Sequence, residues 1–407
     1  MQQASISTSD LIIHGAWREG TPTQRQQPLH KEAQLLPRIA DYYERLKSLP
    51  RRVRRSFQRK CKRSLAGVAV LLALGAQPAM AATINMGGQC TLARAIVSAN
   101  NDRSPQGFCR PGSSADMIVL PRNSTQTLTQ ANNTNYGPTG LPTIRTQITI
   151  VGNGSRIQRV KTAPRFRIFS VAKTGKLTLQ KTTVTRGVGG IDNKGVLNLV
   201  ESTVSGNRGC GVVTGGKDTD DDYTFVDLVT VNKTTISGNT GCGIAADYSG
   251  SVVVTNSIVS NNGTDGVGAL SGSVRVVNST ISDNGKSGIA LITEGGAIII
   301  NSTITGNAGT KSFKGYVAGK LGGGVYVGNY SGAIITNSTI SGNTADLGGG
   351  LYSYYGGYPE ITNSTITGNA AGQGGGIWSE SDDLTLRRTM ALLHKWSRRR
   401  GAGSVEV

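Results

Sequence analysis

Asn278-Ser279-Thr280-Ile281-Ser282-Asp283-Asn284, Asn301-Ser302-Thr303-Ile304-Thr305-Gly306-Asn307, Asn337-Ser338-Thr339-Ile340-Ser341-Gly342-Asn343 and Asn363-Ser364-Thr365-Ile366-Thr367-Gly368-Asn369 are variants of one phrase, and their recurrence decides the fold. Taking the branched apolar residue as phase marker, the series runs Val184, Val204, Ile236, Val259, Ile281, Ile304, Ile340 and Ile366, with gaps of 20, 32, 23, 22, 23, 36 and 26 residues. Self-similarity at this period is the signature of a solenoid. A shortest gap of 20 to 23 residues with occasional longer ones describes one rigid unit with insertions at a tolerant loop.

Each unit carries short β-type runs, such as Val252-Val253-Val254, Val274-Arg275-Val276-Val277, Ala297-Ile298-Ile299-Ile300 and Ile334-Ile335-Thr336, bounded by Gly, Asn, Ser and Asp. No amphipathic helix of ten or more residues separates them, so leucine-rich, ankyrin-type and doubly wound folds do not fit. An all-β solenoid remains, a parallel β-helix with three short strands per coil and coils about 4.8 Å apart. Such a fold stacks the same residue of every repeat into a column. Asn207, Asn239, Asn262, Asn284, Asn307, Asn343 and Asn369 share one phase and are expected to form a structural ladder of side-chain amides. Gly206, Gly238, Gly306, Gly342 and Gly368 just before them are expected to turn the chain with positive φ. Asn-Ser-Thr also matches a glycosylation acceptor, but its fixed phase points to a structural cause.

The flanks explain the charge. The chain has 407 residues and a net charge of +19, yet residues 1–82 hold +9, residues 387–407 hold +5, and the long stretch between holds only +5. The basic run Arg51 to Arg63 precedes an apolar core, Leu65 to Leu74, and Ala79-Met80-Ala81 supplies an A-x-A cleavage site. That order reads as a secretory signal over residues 51–81, and the apolar run is too short for an ordinary membrane anchor. The basic run is therefore read as export machinery, with no nucleic-acid partner and no integral membrane domain after cleavage. Residues 1–50 read as a polar, disordered preface whose translation start stays open. Residues 82–120 read as an N-terminal capping segment and 121–389 as coils. In residues 390–407 a coil lead-in, Leu384-Thr385-Leu386, gives way to a basic tail, which is expected to reflect a frameshift or truncation.

Gly295-Gly296-Ala297-Ile298, Gly322-Gly323-Gly324-Val325, Gly348-Gly349-Gly350-Leu351 and Gly374-Gly375-Gly376-Ile377 alternate with Ile304-x-x-Asn307, Ile340-x-x-Asn343 and Ile366-x-x-Asn369. This resembles the paired GGAI and FxxN tetrapeptides of polymorphic outer-membrane-type repeat proteins, within the pectate-lyase-like right-handed β-helix superfamily, with Ile or Val in place of Phe. Cys90-Thr91-Leu92-Ala93-Arg94-Ala95-Ile96, with Ala99-Asn100, resembles the CSLREA-type N-terminal segment of secreted β-helix proteins, departing at Ala93 and Arg94. Gly112 to Leu120 is similar to that family's first strand. The resemblance covers about residues 83–389 and implies a right-handed parallel β-helix; because one fold hosts many functions, it implies no particular activity.

Leu92, Ala95, Ile96 and Ala99 fall at helical spacing, so a short amphipathic helix is expected to cover the open end of the first coil. Cys90 and Cys109 bracket a short loop and are expected to pair, a closure worth about 3 kcal/mol. Cys210 and Cys242 each lie six residues past their markers, within disulfide range in successive coils; two buried thiols are the alternative.

Chemistry is sparsely signalled. All three histidines lie in the flanks, so no His-based triad or zinc site fits the central region. Asp218, Asp220, Asp221 and Asp222 form a dense acidic cluster and are weak Ca²⁺ candidates, since their spacing matches neither an EF-hand nor an RTX nonapeptide repeat and lacks the downstream Glu, so a solvated loop is the preferred reading; otherwise no cofactor is expected. The coil acids Asp192, Asp247, Asp265, Asp283, Asp346 and Glu360 sit 8, 11, 6, 2, 6 and 20 residues past their markers, so the repeat pairs no two of them at catalytic separation. A regular threonine face for ice or a lattice is disfavoured by the unequal gaps. The expectation is a bacterial protein exported to the cell surface or beyond, an adhesion, display or ligand-binding scaffold without an evident catalytic site. Glycans or a surface protein are the expected partners. The alternative is a carbohydrate-active enzyme, a polysaccharide lyase or glycoside hydrolase on the same fold.

Overall fold

The computed structural model describes residues 82–104, 107–215, 227–248, 250–311, 319–391 and 393–395. The preface 1–50, the signal segment with Ala79 and Ala81, and the acidic cluster Asp218, Asp220, Asp221 and Asp222 lie outside the described residues.

One coil shows the building rule. Val196–Val200, Thr203–Ser205 and Val212–Thr214 are three short strands, each paired in parallel with its equivalents in the coils on either side. The phase markers form an unbroken register: Val184 pairs with Val204, then Ile236, Val259, Ile281, Ile304, Ile340 and Ile366. Unequal gaps leave this register intact because the extra residues leave at corners. The 32-residue gap expands between Thr214 and Leu228, the 36-residue gap between Asn307 and Val325. The marker column begins one coil earlier than the repeated phrase, with Ile157 beside Val184. Ladder pairing also runs past residue 389: Ile366 pairs with Ala391, and Ile377–Ser379 with Leu393–Lys395.

The repeated phrase can be read residue by residue. Its first position turns the chain in the left-handed region, with φ of 46 to 50° at Lys181, Glu201, Lys233, Asn256, Asn278, Asn301, Asn337, Asn363 and Arg388. Asparagine tolerates that conformation better than most non-glycine residues, which accounts for its recurrence there. The next position points inward as a buried hydroxyl: Ser279 Oγ accepts from the Ser257 N–H at 3.1 Å and donates to the Val277 carbonyl at 2.8 Å. The marker fills the core. At the next corner Gly206, Gly238, Gly306, Gly342 and Gly368 have φ of 61 to 68°. The final asparagine is buried, and Nδ2 of Asn207, Asn239, Asn262, Asn284, Asn307 and Asn343 each donates to the Oδ1 of the next at 2.9 to 3.0 Å.

A further glycine column is dictated by space. A Cβ on Gly324 would stand 2.5 Å from the Gly350 carbonyl oxygen, 2.6 Å from Ile340 Cγ2 and 3.0 Å from Asn343 Nδ2. Only glycine lets the third strand enter so close to the amide ladder.

Aliphatic columns such as Leu179, Leu199, Val231 and Val254 line the interior beside the buried hydroxyls and the asparagine ladder. At the N-terminal end the helix Leu92–Asn101 buries Leu92, Ala95, Ile96 and Ala99 and is N-capped by Thr91. Asn100 ties it to the coils, donating to the Thr143 carbonyl at 2.8 Å and accepting from the Arg145 N–H at 2.9 Å. Two disulfides are present, Cys90–Cys109 in the cap and Cys210–Cys242 across adjacent coils, with Cα separations of 4.9 and 4.4 Å.

Candidate functional site

The outer face of the third ladder is where the coils differ. Its outward column runs Ser170, Asp192, Val213, Ala245, Gly268 and Ala290, then Tyr326, Tyr352 and Trp378. Ser170 is buried, and small side chains leave the column from Asp192 to Gly268 partly exposed. Aromatic ones fill the late part, and there a second layer covers them. Strands Lys320–Leu321, Thr344–Leu347 and Ala370–Gln373 pair in parallel as a flap, and Leu321 completes a small apolar cluster with Ala290, Tyr326, Tyr352 and Trp378. The Tyr326 and Tyr352 rings stack 5.8 Å apart, and the Tyr352 hydroxyl donates to Glu380 at 2.7 Å. Burial pushes the Tyr326 hydroxyl up to about 12, and burial with the Glu380 contact raises Tyr352 further.

On the early part lies a cleft of about 320 Å³, lined by Pro138, Arg165, Phe166, Arg167, Val188, Asp192, Cys210 and neighbouring backbone. The backbone of Arg167 is fixed on both sides: its N–H donates to the Pro138 carbonyl at 3.0 Å, and its carbonyl accepts from Gly140 at 2.8 Å. Its guanidinium pairs with the Asp192 carboxylate. Burial nonetheless raises Asp192 above the ordinary carboxylate range, outweighing the downward pull of Arg167 and Lys194. The loop carrying Arg165 is held by buried Arg159, which donates to the Ala163 carbonyl at 2.6 Å and the Arg186 carbonyl at 2.9 Å. Cys210 lines the cleft and its disulfide to Cys242 pins that wall. A shifted carboxyl among cations in a concavity is the pattern of a binding or catalytic site.

The other sequence-flagged acids do not converge here. Asp247 is raised by burial and eased by Lys194. Asp265 accepts from the Ser287 N–H at 3.1 Å in a corner. Asp346 accepts from the Lys320 N–H at 2.6 Å in the flap, so its shared phase with Asp265 does not place the two alike. Glu360 sits in the first ladder beside Ile334 and Thr385. Among the described residues no three His, Cys, Asp or Glu side chains are grouped as a metal site requires.

A model of the right-handed β-helix region matches residues 220–389. The fold is a right-handed parallel β-helix. Several solved structures are similar to parts of this chain. Pectate lyase Pel9A is 17% identical, with a TM-score of 0.36 over 67% of this chain and 68% of that one. The A-module of the Azotobacter vinelandii mannuronan C-5 epimerase AlgE4 is 12% identical, with a TM-score of 0.35 over 76% and 95%. The catalytic domain of a GH87 α-1,3-glucanase is 10% identical, with a TM-score of 0.38 over 80% and 67%. These likenesses transfer no residue roles. A comparison with curated proteins returns no match.

Of these residues the repeat phase singles out Asp192 alone: Arg165 and Arg167 precede the first marker Val184, and Lys194 recurs at no fixed phase. The repeated phrase also passes over the aromatic column, for which a signal exists: Tyr326, Tyr352 and Trp378 are spaced 26 residues apart, the same as the Ile340–Ile366 gap.

Proposed function

We propose that this right-handed β-helix is an exported scaffold at or beyond a bacterial surface, whose early coils bind an anionic glycan without turning it over. The observation that carries this reading is the cleft at Asp192: Arg165 and Arg167 line it, Lys194 stands beside it, and its carboxylate is already paired with Arg167. Cations on a rigid wall recognise carboxylates or sulfates, and Arg does so with two-pronged geometry. Hydrolysis of a glycosidic bond ordinarily needs a second carboxyl group across the bond; among the described residues Asp192 is the one carboxylate that lines the cleft. Two disulfides in the described residues support an oxidising compartment.

The test is a screen of the purified chain on polyuronates, sulfated glycans and neutral glycans, with and without Ca²⁺, read for both binding and product. Binding of acidic glycans alone is the expected result. Release of unsaturated or reducing ends would establish the carbohydrate-active enzyme instead.

A further inference from the structure

The inward side of the first ladder holds one aliphatic column, in which Ile148, Leu177, Leu197, Val229 and Val252 follow one another in register. One coil before Ile148, the same position is Asp116. It is only 2% exposed. A buried carboxylate is costly unless it is paired or neutral, and Asp116 has no cationic partner among the described residues. Its Oδ1 accepts from the Ser113 N–H at 2.8 Å, whereas its buried Oδ2 has no hydrogen-bond partner.

Gly112 separates Oδ2 from the end of the capping helix, where the Ser98 carbonyl accepts from the Arg103 N–H at 3.3 Å. Gly112 is wedged between the two: a Cβ there would lie 2.6 Å from Asp116 Oδ2, 2.8 Å from the Ala99 Cα and 2.9 Å from the Ser98 carbonyl oxygen. Ser98 is in the last turn of Leu92–Asn101, and the helix closes on Asp102 in the left-handed conformation. A helix C-terminus carries negative partial charge, so it repels a carboxylate and welcomes a proton donor.

We propose that Asp116 is held in the fold as a neutral carboxylic acid near the carbonyl end of the helix, and that this neutrality latches the cap onto the first coil. Burial raises the Asp116 carboxyl above its usual range; the Ser113 N–H pulls it back and Asp102 raises it again. No other charge competes closely. Arg94 stacks over Phe108 at 4.2 Å, while Arg103, Arg110 and Arg145 are exposed. The adjoining strand Thr83–Asn85 and the paired stretch Gln147 to Val151 contain no ionisable side chain. Because the folded value lies above the unfolded one, the latch is complete below the unfolded value near 4 and weakens as pH rises through the folded value. The solenoid's N-terminal cover thus responds to external pH.

Hydrogen exchange of the whole chain, followed in peptides spanning residues 92–101 and corrected for intrinsic rates, tests this. The expected result is helix protection that falls about tenfold from pH 4 to pH 7, with the late coils unchanged as internal reference. Asp116→Asn, which is neutral at every pH, and Asp116→Leu, which restores the aliphatic column, are both expected to abolish the pH dependence. A wild-type profile that is flat with pH overturns the proposal. So does protection that follows added Ca²⁺ and is removed by chelator, which would put a cation on Oδ2. If neither variant folds, the protonated carboxyl band in the infrared spectrum of wild type decides, read at pH 6 where ordinary carboxyl groups are ionised: its absence there sinks the idea.

Discussion

The early coils around Asp192 and the late coils around Tyr352 obey the same internal rule and present opposite exteriors. Both halves share the marker column, the buried hydroxyls and the asparagine ladder. They diverge at one corner. Between Asn207 and Val212 the chain needs four residues; between Asn343 and Leu351 it uses seven, which form a fourth strand lying over the outer face. Covering that face requires side chains to pack against, and Tyr326, Tyr352 and Trp378 supply them where the early coils have Val213, Ala245 and Gly268. The lesson is that the core sets the coil while corner length decides whether a face is available to a ligand.

The largest effect is expected from a change that ignores the difference between halves. Asn307 donates to Asn343 Oδ1 at 2.9 Å and to the Ile281 carbonyl at 3.2 Å, and accepts from the backbone and side chain of Asn284 at 3.1 and 2.9 Å. Asn307→Ala leaves several buried groups unpaired and is expected to cost about 4 kcal/mol, read from the urea midpoint. A loss under 1 kcal/mol would mean that the ladder is dispensable. Next comes a change confined to the early half. Replacing Cys210 and Cys242 by Ser removes a closure of 32 residues, worth about 3 to 4 kcal/mol in the chain-entropy account. Exchange protection is expected to fall around the cleft and to hold in the flap; equal loss in both would erase the distinction.

In the late half, Tyr352→Phe removes the bond to Glu380 and is expected to cost about 2 kcal/mol. Alkaline titration probes the same cluster. Because the folded Tyr326 value is about 12, its contribution is full below the ordinary tyrosine value near 10 and declines as pH climbs toward the folded value. Flap strands should therefore loosen above pH 10 before the early coils do. The smallest effect concerns ligand. Burial holds Asp192 high, so acidification neutralises it at milder pH than an exposed carboxylate. Affinity for an anionic oligosaccharide should rise roughly threefold as pH falls from 7 to the ordinary carboxylate value near 4, and Asp192→Asn should flatten that profile.

Much of the coil is legible in the sequence because stacking repeats its demands at a fixed phase. The branched apolar markers from Val184 to Ile366 give the ladder register directly, and the corner glycines before Asn207 and Asn239 carry their positive φ in their identity. Other demands are written in residues with several uses. Asn278 looks like a polar linker until its left-handed backbone is seen, and Gly324 resembles other glycines although its cause is the nearness of Asn343. Counting from a marker also fails once an insertion intervenes, which is why Asp265 and Asp346 share a number and not a place. The cleft was hardest to read, because Arg165 and Arg167 lie outside the repeated phrase and meet Asp192 only through the pairing of Phe169–Val171 with Ile191–Asn193.

The most direct test of the account follows binding and product together as acidic oligosaccharides are titrated into wild type, Arg167→Ala and Asp192→Asn. Binding in wild type, weakened at least tenfold in Arg167→Ala and accompanied by no bond cleavage in any of the three, is the predicted result. Cleavage by wild type that Asp192→Asn abolishes would contradict it.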